Sequence, residues 1–449
     1  MPDRLKVLIS AYACEPGKGS EPEIGWQWAI QMARFHDVTV LTRANNRPTI
    51  EGGLGALRGR QPLPVFFYHD ESPFLLRLKR RFGATKLYYL FWQCSAWEIV
   101  ARLHSTHRFD LLHHITLGAC RYPAPIWGHG VPSIWGPIGG IESIPIPLLP
   151  WSHPQSLLLE SFRNIHNFMH SSSWHILRKR AQASTINVAT TPEMRAAFRG
   201  HGFDAQVIPA VGLSASDLPF KARSSSQNGP VKFLYVGNLI ALKGIDLALH
   251  ALTQSRANAS FTLFGDGNCL AGLRRLAKRL GLQDRVDFRG RVPRLQVLDL
   301  YSEFDVFVFP SLHDTGGYAV LEAMFNQLPV ICLDCGGPAL MVGKGCGVKV
   351  PLGSRSDVIK GLAEAISHYG QDRDRAQSEG RRAREFILQQ YDWSAKGEQM
   401  NGIYKQAVAA PCGVDKGYNG LGFLPTALHK LLSLLDRKIE GGKTTDGRR

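Results

Sequence analysis

The sequence contains no apolar run as long as the roughly 18 residues that a membrane-spanning helix needs. Its most apolar stretch, residues 144–151, is interrupted by three prolines. Residues 7–13 form an apolar run that is too short for a secretory signal with its cleavage site, so they are predicted to form a buried strand. We therefore expect a cytoplasmic chain, either soluble or peripheral at the inner face of the membrane.

Cysteine is scarce, because eight cysteines are dispersed over 449 residues and cannot form the disulfide framework of a small secreted domain. Cys332 and Cys335 have the CxxC spacing, but they flank a predicted core strand and no second pair lies nearby. A DxD-type metal motif is also missing from the predicted strand ends. We therefore expect reduced thiols, no metal site and no cofactor.

Acidic residues are outnumbered: 37 Asp and Glu stand against 53 Lys and Arg, which gives a formal net charge of +16. A basic surface favours an anionic partner, either nucleic acid, acidic lipid or a phosphorylated substrate. The cations form no recognised nucleic-acid motif, so we do not expect nucleic acid as a partner. No GxGxxG follows the first strand of either half, which disfavours a dehydrogenase.

The chain does contain a regular alternation of short apolar runs and helical stretches, which is typical of βαβ units. The alternation stops at a polar stretch over 214–230 and then restarts. This α/β pattern predicts two Rossmann-like domains facing across a cleft, with ligands at the carboxyl ends of the strands. Predicted strands cover residues 6–13, 37–42, 65–68, 110–114, 133–136, 185–189, 232–236, 260–264, 286–288, 306–309 and 330–333.

The predicted division of the chain has five parts. An N-terminal domain covers residues 1–213, a linker 214–230 and a C-terminal domain 231–391. Residues 392–410 are predicted to form a helix that packs back toward the N-terminal domain. The last part, 411–449, is a tail that is either amphipathic or disordered.

Two glycine-containing segments of the second half follow predicted strands. In the first, a strand ends at Gly237 and Lys243-Gly244 opens a helix. A lysine beside a helix N-terminus can bind phosphate, because the backbone N–H groups and the ammonium both attract an anion. The second segment, residues 265–267, is a glycine turn that any βα unit could use, and an ordinary solvated lysine remains the alternative for Lys243.

A third segment joins an acidic residue to a second glycine pair. Asp314 follows a predicted strand, and Gly316-Gly317 leads into a helix that carries Glu322. The glycines allow a ligand to approach the backbone, and a carboxylate one turn into the helix can accept hydrogen bonds from a ribose diol. The alternative is a capping aspartate and a solvated glutamate.

Together these segments resemble the family 4 glycosyltransferases, which are retaining enzymes of the GT-B fold. The resemblance covers most of residues 231–352 and depends on order as well as on spacing. The matching residues are Lys243-Gly244, Gly265-x-Gly267, Asp314-x7-Glu322-Ala323-Met324 and Leu328-Pro329-Val330.

The resemblance implies that the N-terminal domain binds the acceptor and the C-terminal domain binds the nucleotide sugar. It also implies a role for each matching residue. Lys243 would hold the donor diphosphate, Glu322 the ribose, and Asp314 would contact the transferring sugar. The loop that contains Arg291 would lie near the base. The other donor-binding residues implied in this half are Gly237, Asn238, Gly265, Thr315, Gly316 and Gly317.

Two positions depart from the family pattern. Asn238 stands where the family usually has an arginine, so one charge that would neutralise the leaving diphosphate is missing. Arg291 or Lys18 is the expected substitute, and weaker stabilisation of the diphosphate is the alternative. Asp314 replaces the usual glutamate and is one methylene shorter.

The first half offers weaker signals. In enzymes similar to this one, a glycine loop after the first strand approaches the donor phosphates, which predicts that role for Gly17 and Gly19; an ordinary βα turn is the alternative. Family members often read D-x-x-H-x-H at the strand that starts near Asp110. This assigns His113, or its neighbour His114, to the sugar, and a buried histidine with a structural hydrogen bond remains the alternative.

Residues 74–82 interleave apolar side chains with four cations, as helices at an anionic membrane surface do. Residues 178–180 add a basic cluster, and residues 426–435 have a similar amphipathic character. A solvated helix face is the alternative for residues 74–82.

The resemblance implies a metal-independent enzyme that transfers a hexosyl unit from a nucleotide-diphosphate sugar, with retention, to a saccharide or lipid-linked acceptor. Cell-surface polysaccharide or glycolipid biosynthesis is the expected setting. The alternative is a catalytically weakened nucleotide-sugar-binding protein of the same fold, and the neutral Asn238 is the reason to consider it.

Overall fold

The computed structural model describes residues 4–83, 85–149, 154–172, 174–221 and 229–410. The amphipathic segment predicted at 426–435 and most of the serine-rich part of the predicted linker lie outside these ranges. Among the described helices, none is long and apolar enough to cross a bilayer.

The first sheet contains seven parallel strands from the N-terminal half. Their order is β3-β2-β1-β4-β5-β6-β7, so the strand order reverses between β1 and β4. Central strands such as β4 are buried on both faces, which is why they read as apolar runs in the sequence. The strands are β1 Lys6–Ser10, β2 Asp37–Thr42, β3 Val65–Tyr68, β4 Leu111–His114, β5 Ser133–Ile138, β6 Ile186–Ala189 and β7 Gln206–Val207.

The second sheet contains six parallel strands in the order β10-β9-β8-β11-β12-β13. Here the order reverses between β8 and β11, which pair directly. The strands are β8 Val231–Val236, β9 Ala259–Phe264, β10 Val286–Gly290, β11 Val306–Phe309, β12 Val330–Leu333 and β13 Gly347–Val350.

Helices connect the strands and cover the sheets. In the N-terminal half they are α1 Ser20–Ala33, α2 Arg47–Leu57, α3 Pro73–Phe82, α4 Thr85–His107, α5 Pro154–Ser172, α6 Trp174–Gln182 and α7 Pro192–Gly200. In the C-terminal half they are α8 Ile245–Gln254, α9 Leu270–Arg279, α10 Arg294–Leu300, α11 Tyr318–Phe325, α12 Gly336–Met341, α13 Arg355–Gln371, α14 Arg373–Gln390 and α15 Trp393–Ala409. The result is a pair of Rossmann-like α/β domains that face each other across a cleft.

Helix α15 crosses from the C-terminal domain to the N-terminal one. Trp393 packs edge-on against Trp28 of α1, with ring centroids 5.3 Å apart. Farther along α15, Lys396 donates a 2.5 Å hydrogen bond to the carbonyl of Pro209, and Tyr404 lies beneath the first sheet. These buried contacts connect the two domains. They lie on the side where the chain first enters the C-terminal domain, before β8, and later returns through α15.

The two strand-order reversals determine where ligands can bind. In a doubly wound sheet the loops on either side of the reversal diverge and leave a crevice at the carboxyl ends of the strands. The loops after β8 and β11 therefore open onto the cleft, opposite the loops after β1 and β4.

Candidate functional site

The loops after β8 and β11 bring two of the predicted catalytic residues together. Lys243 lies in a short 3₁₀ turn, Ala241–Lys243, and Asp314 lies in the loop before α11. The Lys243 ammonium forms an ion pair with the Asp314 carboxylate and lies 5.2 Å from the centre of the Phe309 ring. Both side chains line one cavity, so a charged ligand there would meet the pair as a unit.

This central cavity has a volume of about 520 Å³ and is lined by both domains. The C-terminal domain contributes Asn238, Lys243 and residues 314–319. The backbone amides of residues 315–317 donate to no acceptor within the part of the chain that the structure describes. Because these amides precede the N-terminus of α11, they form a favourable site for an anion.

A neighbouring side cavity of about 670 Å³ contains the predicted ribose ligand, Glu322. Its carboxylate accepts a 2.7 Å hydrogen bond from Arg294 Nε and a 3.3 Å one from the Tyr301 hydroxyl. Burial raises the pKa of Glu322, and the Arg294 guanidinium opposes that effect. The side cavity is also lined by Gly17, Gly19 and Arg291.

Two glycines are required by the geometry of these loops. Gly244 has φ +63°, and a Cβ there would lie 2.3 Å from the carbonyl oxygen of Pro310. Gly265 has φ +149°, and a Cβ there would lie 1.8 Å from the carbonyl oxygen of Gly237. A larger residue at either position would separate the loops that form the cavities.

The sequence of residues 219–383 matches the family "Glycosyl transferases group 1". The matched region contains strands β8 to β13 and the loops after β8 and β11. One curated relative is the alpha-D-kanosaminyltransferase of Streptomyces kanamyceticus, 25% identical over 52% of this chain and 62% of the relative. Another is the "Putative teichuronic acid biosynthesis glycosyltransferase TuaC" of Bacillus subtilis, 26% identical over 55% of this chain and 61% of the relative. The aligned region thus spans about three fifths of each relative.

The fold matches that of solved glycosyltransferases. Anabaena Alr3699/HepE, solved in complex with UDP and glucose, superposes with a TM-score of 0.54 at 17% identity. The superposition covers 90% of this chain and 100% of the other. The two-domain architecture is therefore GT-B.

Every predicted donor-binding residue lines a cavity of the cleft. The third, smaller cavity adjoins Gly265 and shares Arg291 with the side cavity. The residues concerned are Gly17, Gly19, Gly237, Asn238, Lys243, Gly265, Arg291, Thr315, Gly316, Gly317 and Glu322. Their ligands remain a prediction.

The expectation that His113 or His114 touches the sugar is corrected by the geometry. Both lie within β4 and are at most 2% exposed, and neither lines a cavity of the cleft. His113 bonds to the Tyr404 hydroxyl at 2.7 Å and to the Gly136 carbonyl at 2.6 Å. Burial lowers the pKa of His113 to about 4 and that of His114 to about 3, so both are neutral at pH 7.

The two cations considered as substitutes for the missing arginine differ in their surroundings. Lys18 pairs with Glu15 at 2.6 Å and does not line the central or the side cavity. Arg291 lines both the side cavity and the third one, and no described carboxylate pairs with it. Asn238 is exposed at the cavity edge and carries no charge.

Three polar residues at the site were not assigned from the sequence. Glu21, near the start of α1, lines the central cavity, and its carboxylate accepts a 3.1 Å hydrogen bond from the amide of Leu117. Tyr318 lines both main cavities, and its buried hydroxyl has no hydrogen-bond partner among the described residues. Arg294 holds Glu322. Glu21 and Arg294 lie on helices outside the strand-end motifs, whereas Tyr318 lies between Asp314 and Glu322 but had no assigned role.

Within the described ranges all cysteines are free, and Cys332 is fully buried. No group of three or more His, Cys, Asp or Glu side chains in those ranges is placed to hold a metal ion.

Proposed function

We propose that this chain transfers a hexosyl unit, with retention of configuration, from a nucleotide-diphosphate sugar to a saccharide or lipid-linked acceptor. The observation that supports this most is the convergence of Lys243, the amides of residues 315–317 and Glu322 at one switch point. The name of TuaC, together with the UDP and glucose bound by HepE, supports a nucleotide-sugar donor and a role in cell-surface polysaccharide or glycolipid synthesis.

In the proposed reaction the bond between the anomeric carbon and the diphosphate oxygen breaks. The acceptor oxygen bonds to the same face of that carbon, and its proton passes to the departing diphosphate. Lys243 and the amides of residues 315–317 stabilise the charge that develops on the diphosphate, and Glu322 positions the ribose. This mechanism requires no divalent metal ion, so chelators should not reduce the rate.

We assign the second diphosphate cation to Arg291 rather than to Lys18. Lys243 is paired with Asp314, so this pair alone contributes no net positive charge. A bound diphosphate would compete with Asp314 for the ammonium, and the freed carboxylate would then face the transferring sugar. Arg291 is the cation beside the donor cavities whose charge no described carboxylate neutralises.

The proposed enzyme acts in the cytoplasm at the inner face of the membrane. Helix α3 carries Arg77, Arg80 and Arg81 on its exposed side, which would attract anionic lipid headgroups. Lys79 packs instead against the ring of Tyr88 at 4.5 Å. Leu75 of the same helix is buried. The exposed side of α3 therefore offers mainly cations to a membrane.

A second function, donor binding with weakened catalysis, is favoured by the neutral Asn238 and by the pairing of Lys243 with Asp314. Such a protein would bind a nucleotide sugar without hydrolysing or transferring it. Release of free sugar from the bound donor would contradict this alternative.

The proposed donor site is tested by following thermal unfolding with a panel of UDP-, GDP- and ADP-sugars. We expect a higher unfolding midpoint with one nucleotide class, and loss of that rise in Lys243→Ala and Glu322→Ala. No rise with any donor, in protein shown to be folded, would contradict both donor binding and catalysis.

A further inference from the structure

Helix α5 has its apolar side chains on the outside. Leu158, Leu159 and Ile165 are 72%, 68% and 59% exposed, and Phe162 and Phe168 are 68% and 70% exposed. These five side chains recur at helical spacing and form one face, which we call the α5 stripe. A surface helix normally buries its apolar face and exposes its polar one, so α5 is reversed.

The inward side of α5 is polar and is fixed by hydrogen bonds. Asn164 bonds both the amide and the carbonyl of Ile144, at 3.1 and 2.6 Å. Asn167, which is buried, donates a 2.7 Å hydrogen bond to the carbonyl of Glu142. If α5 were rotated to turn the stripe inward, Asn164 and Asn167 would lose these hydrogen bonds. The bonds therefore hold the helix with its apolar face outward.

The segment that anchors α5 leads directly to the central cavity. Gly139 and Gly140 line that cavity, and the amide of Gly140 bonds to the Glu142 carboxylate at 2.7 Å. The α5 stripe is therefore held by the same loop that lines the N-terminal side of the central cavity. Contiguous exposed apolar surface of this kind marks an interaction site rather than an ordinary solvated surface.

Exposed cations lie on α6, which contacts α5, and at the corner between α3 and α4. Helix α6 packs on α5 and exposes Arg178 and Lys179. The corner between α3 and α4 exposes Phe82, at 69%, among Arg80, Arg81 and Lys86. Apolar side chains flanked by cations fit the interface of an anionic bilayer, where insertion and headgroup attraction add together.

Both basic regions border one loop of the N-terminal domain. From α4, the Tyr89 hydroxyl donates a 3.2 Å hydrogen bond to the carbonyl of Leu117. From α6, Arg180 donates a 2.5 Å hydrogen bond to the carbonyl of Cys120. Residues 117–119 also line the central cavity, so α4 and α6 both bond to a loop that forms part of its wall.

We propose that the α5 stripe inserts into the interfacial region of an anionic membrane, with the cations of α6 and of the α3–α4 corner on the headgroups. A second copy of the chain fits this surface less well. If two copies paired through their α5 stripes, the cations of α6 in one copy would approach the equivalent cations of the other. If the proposed function is right, this orientation would place the cleft over a lipid-linked acceptor. The proposed binding of the stripe to lipid does not depend on that function.

The test is co-sedimentation of the full chain with vesicles of phosphatidylcholine alone and of phosphatidylcholine with phosphatidylglycerol. We expect binding to the anionic vesicles and a loss of about tenfold or more in partitioning for the double variant Leu158→Gln/Ile165→Gln. The matched control is Leu295→Gln in the C-terminal domain, because Leu295 is 71% exposed and lines none of the three cleft cavities. We expect the control to bind vesicles as the unsubstituted chain does.

The proposal would be overturned by equal vesicle binding of the double variant and the unsubstituted chain, or by no binding of either. Sedimentation equilibrium provides the other decisive result: a dimer that the double variant dissociates would show that a second copy covers the stripe. Circular dichroism checks that each variant is folded. Donor-induced stabilisation, measured without vesicles, should be the same in all three chains, so failure of the donor proposal would be seen separately.

Discussion

The polar residues at the two switch points differ in their distance from the strand that precedes them. Asn238, Lys243 and Asp314 come two to seven residues after β8 or β11 end, and all three line the cleft. His113 and His114 are the last two residues of β4 itself, and both are buried. A strand residue points into the layers above or below its sheet, whereas a loop residue can turn toward the crevice. The position of a polar residue relative to the strand end therefore decides whether it can reach a ligand.

The largest effect should come from the loop lysine. Replacing Lys243 with Ala removes the cation proposed to stabilise the departing diphosphate, and we expect the rate of transfer or donor hydrolysis to fall about 10²- to 10³-fold. Steady-state kinetics would measure it. The matched control is Lys360→Ala on α13, where the lysine is 76% exposed and distant from the cleft, and the rate should not change. Equal rates in the two variants would remove Lys243 from the mechanism.

The next effect is expected at Glu322. Glu322→Gln removes a charged hydrogen-bond acceptor from the side cavity, and we expect donor affinity to fall roughly 10- to 100-fold in calorimetric titrations. The exposed Glu385→Gln serves as the control and should bind the donor normally.

The same position predicts a pH dependence. Because burial raises the pKa of Glu322, its carboxylate takes up a proton at a higher pH than an ordinary glutamate does. Donor affinity of the unsubstituted chain should therefore weaken on acidification at a higher pH than the titration of an ordinary solvated glutamate. Glu322→Gln should lack this change; the same pH profile in both chains would contradict the assignment.

A smaller effect should separate the two candidate cations. Arg291→Gln is expected to weaken donor binding about tenfold, because it removes the cation that no described carboxylate neutralises. Lys18→Gln should change binding less than about twofold, since Lys18 already pairs with Glu15. Competition titrations with the nucleoside diphosphate would compare them, and the reverse order of effects would reassign the second cation.

The smallest effect on donor binding is expected at His113. His113→Gln disturbs the bonds to Tyr404 and Gly136, so we expect the free energy of unfolding to fall by about 1–3 kcal/mol while donor affinity is unchanged. Urea unfolding and calorimetry would measure the two quantities. His107→Gln, at the exposed end of α4, should alter neither. Loss of donor affinity in a stable His113→Gln protein would restore this histidine to the site.

His113 also contributes to the pH dependence of stability. Its folded pKa of about 4 lies below the ordinary value of 6.5, so between these pH values the unfolded chain binds more protons. Stability conferred by the neutral imidazole is therefore present above pH 6.5 and is lost as the pH falls toward 4. In His113→Gln the free energy of unfolding should decline less over this interval.

Much of the architecture could be predicted from the sequence because buried parallel strands are apolar and short. The first strand is predicted to extend to residue 13 but ends at Ser10. The Ala11 amide still bonds to the carbonyl of Leu41 in β2, and residues 12–14 continue as a buried loop. Strands β7 and β13 were missed; β7 has only two residues, and β13 begins with a glycine. Both β7 and β13 are strands because they pair with a neighbouring strand, and the pattern of their own residues does not define them.

The candidate site divides in the same way. Lys243, Asp314 and Glu322 could be found because they belong to one spaced motif. Glu21 is brought to the central cavity by the approach of the two domains, which no local spacing encodes. Tyr318 lies within the motif, but the spacing does not show that its side chain lines the cavity. The α5 stripe was missed for another reason: helical periodicity predicts a face, but only tertiary contacts such as those of Asn164 decide which face points inward.

Hydrogen–deuterium exchange with and without saturating UDP, GDP or ADP tests the central claim most directly. We expect one nucleotide to protect the amides of residues 237–244 and 314–322 from exchange. The amides of β4, which are already bonded within the sheet, should exchange at the same rate in both states. Absence of protection at both loops with every nucleotide, or protection centred on β4, would contradict a donor site built from the loops after β8 and β11.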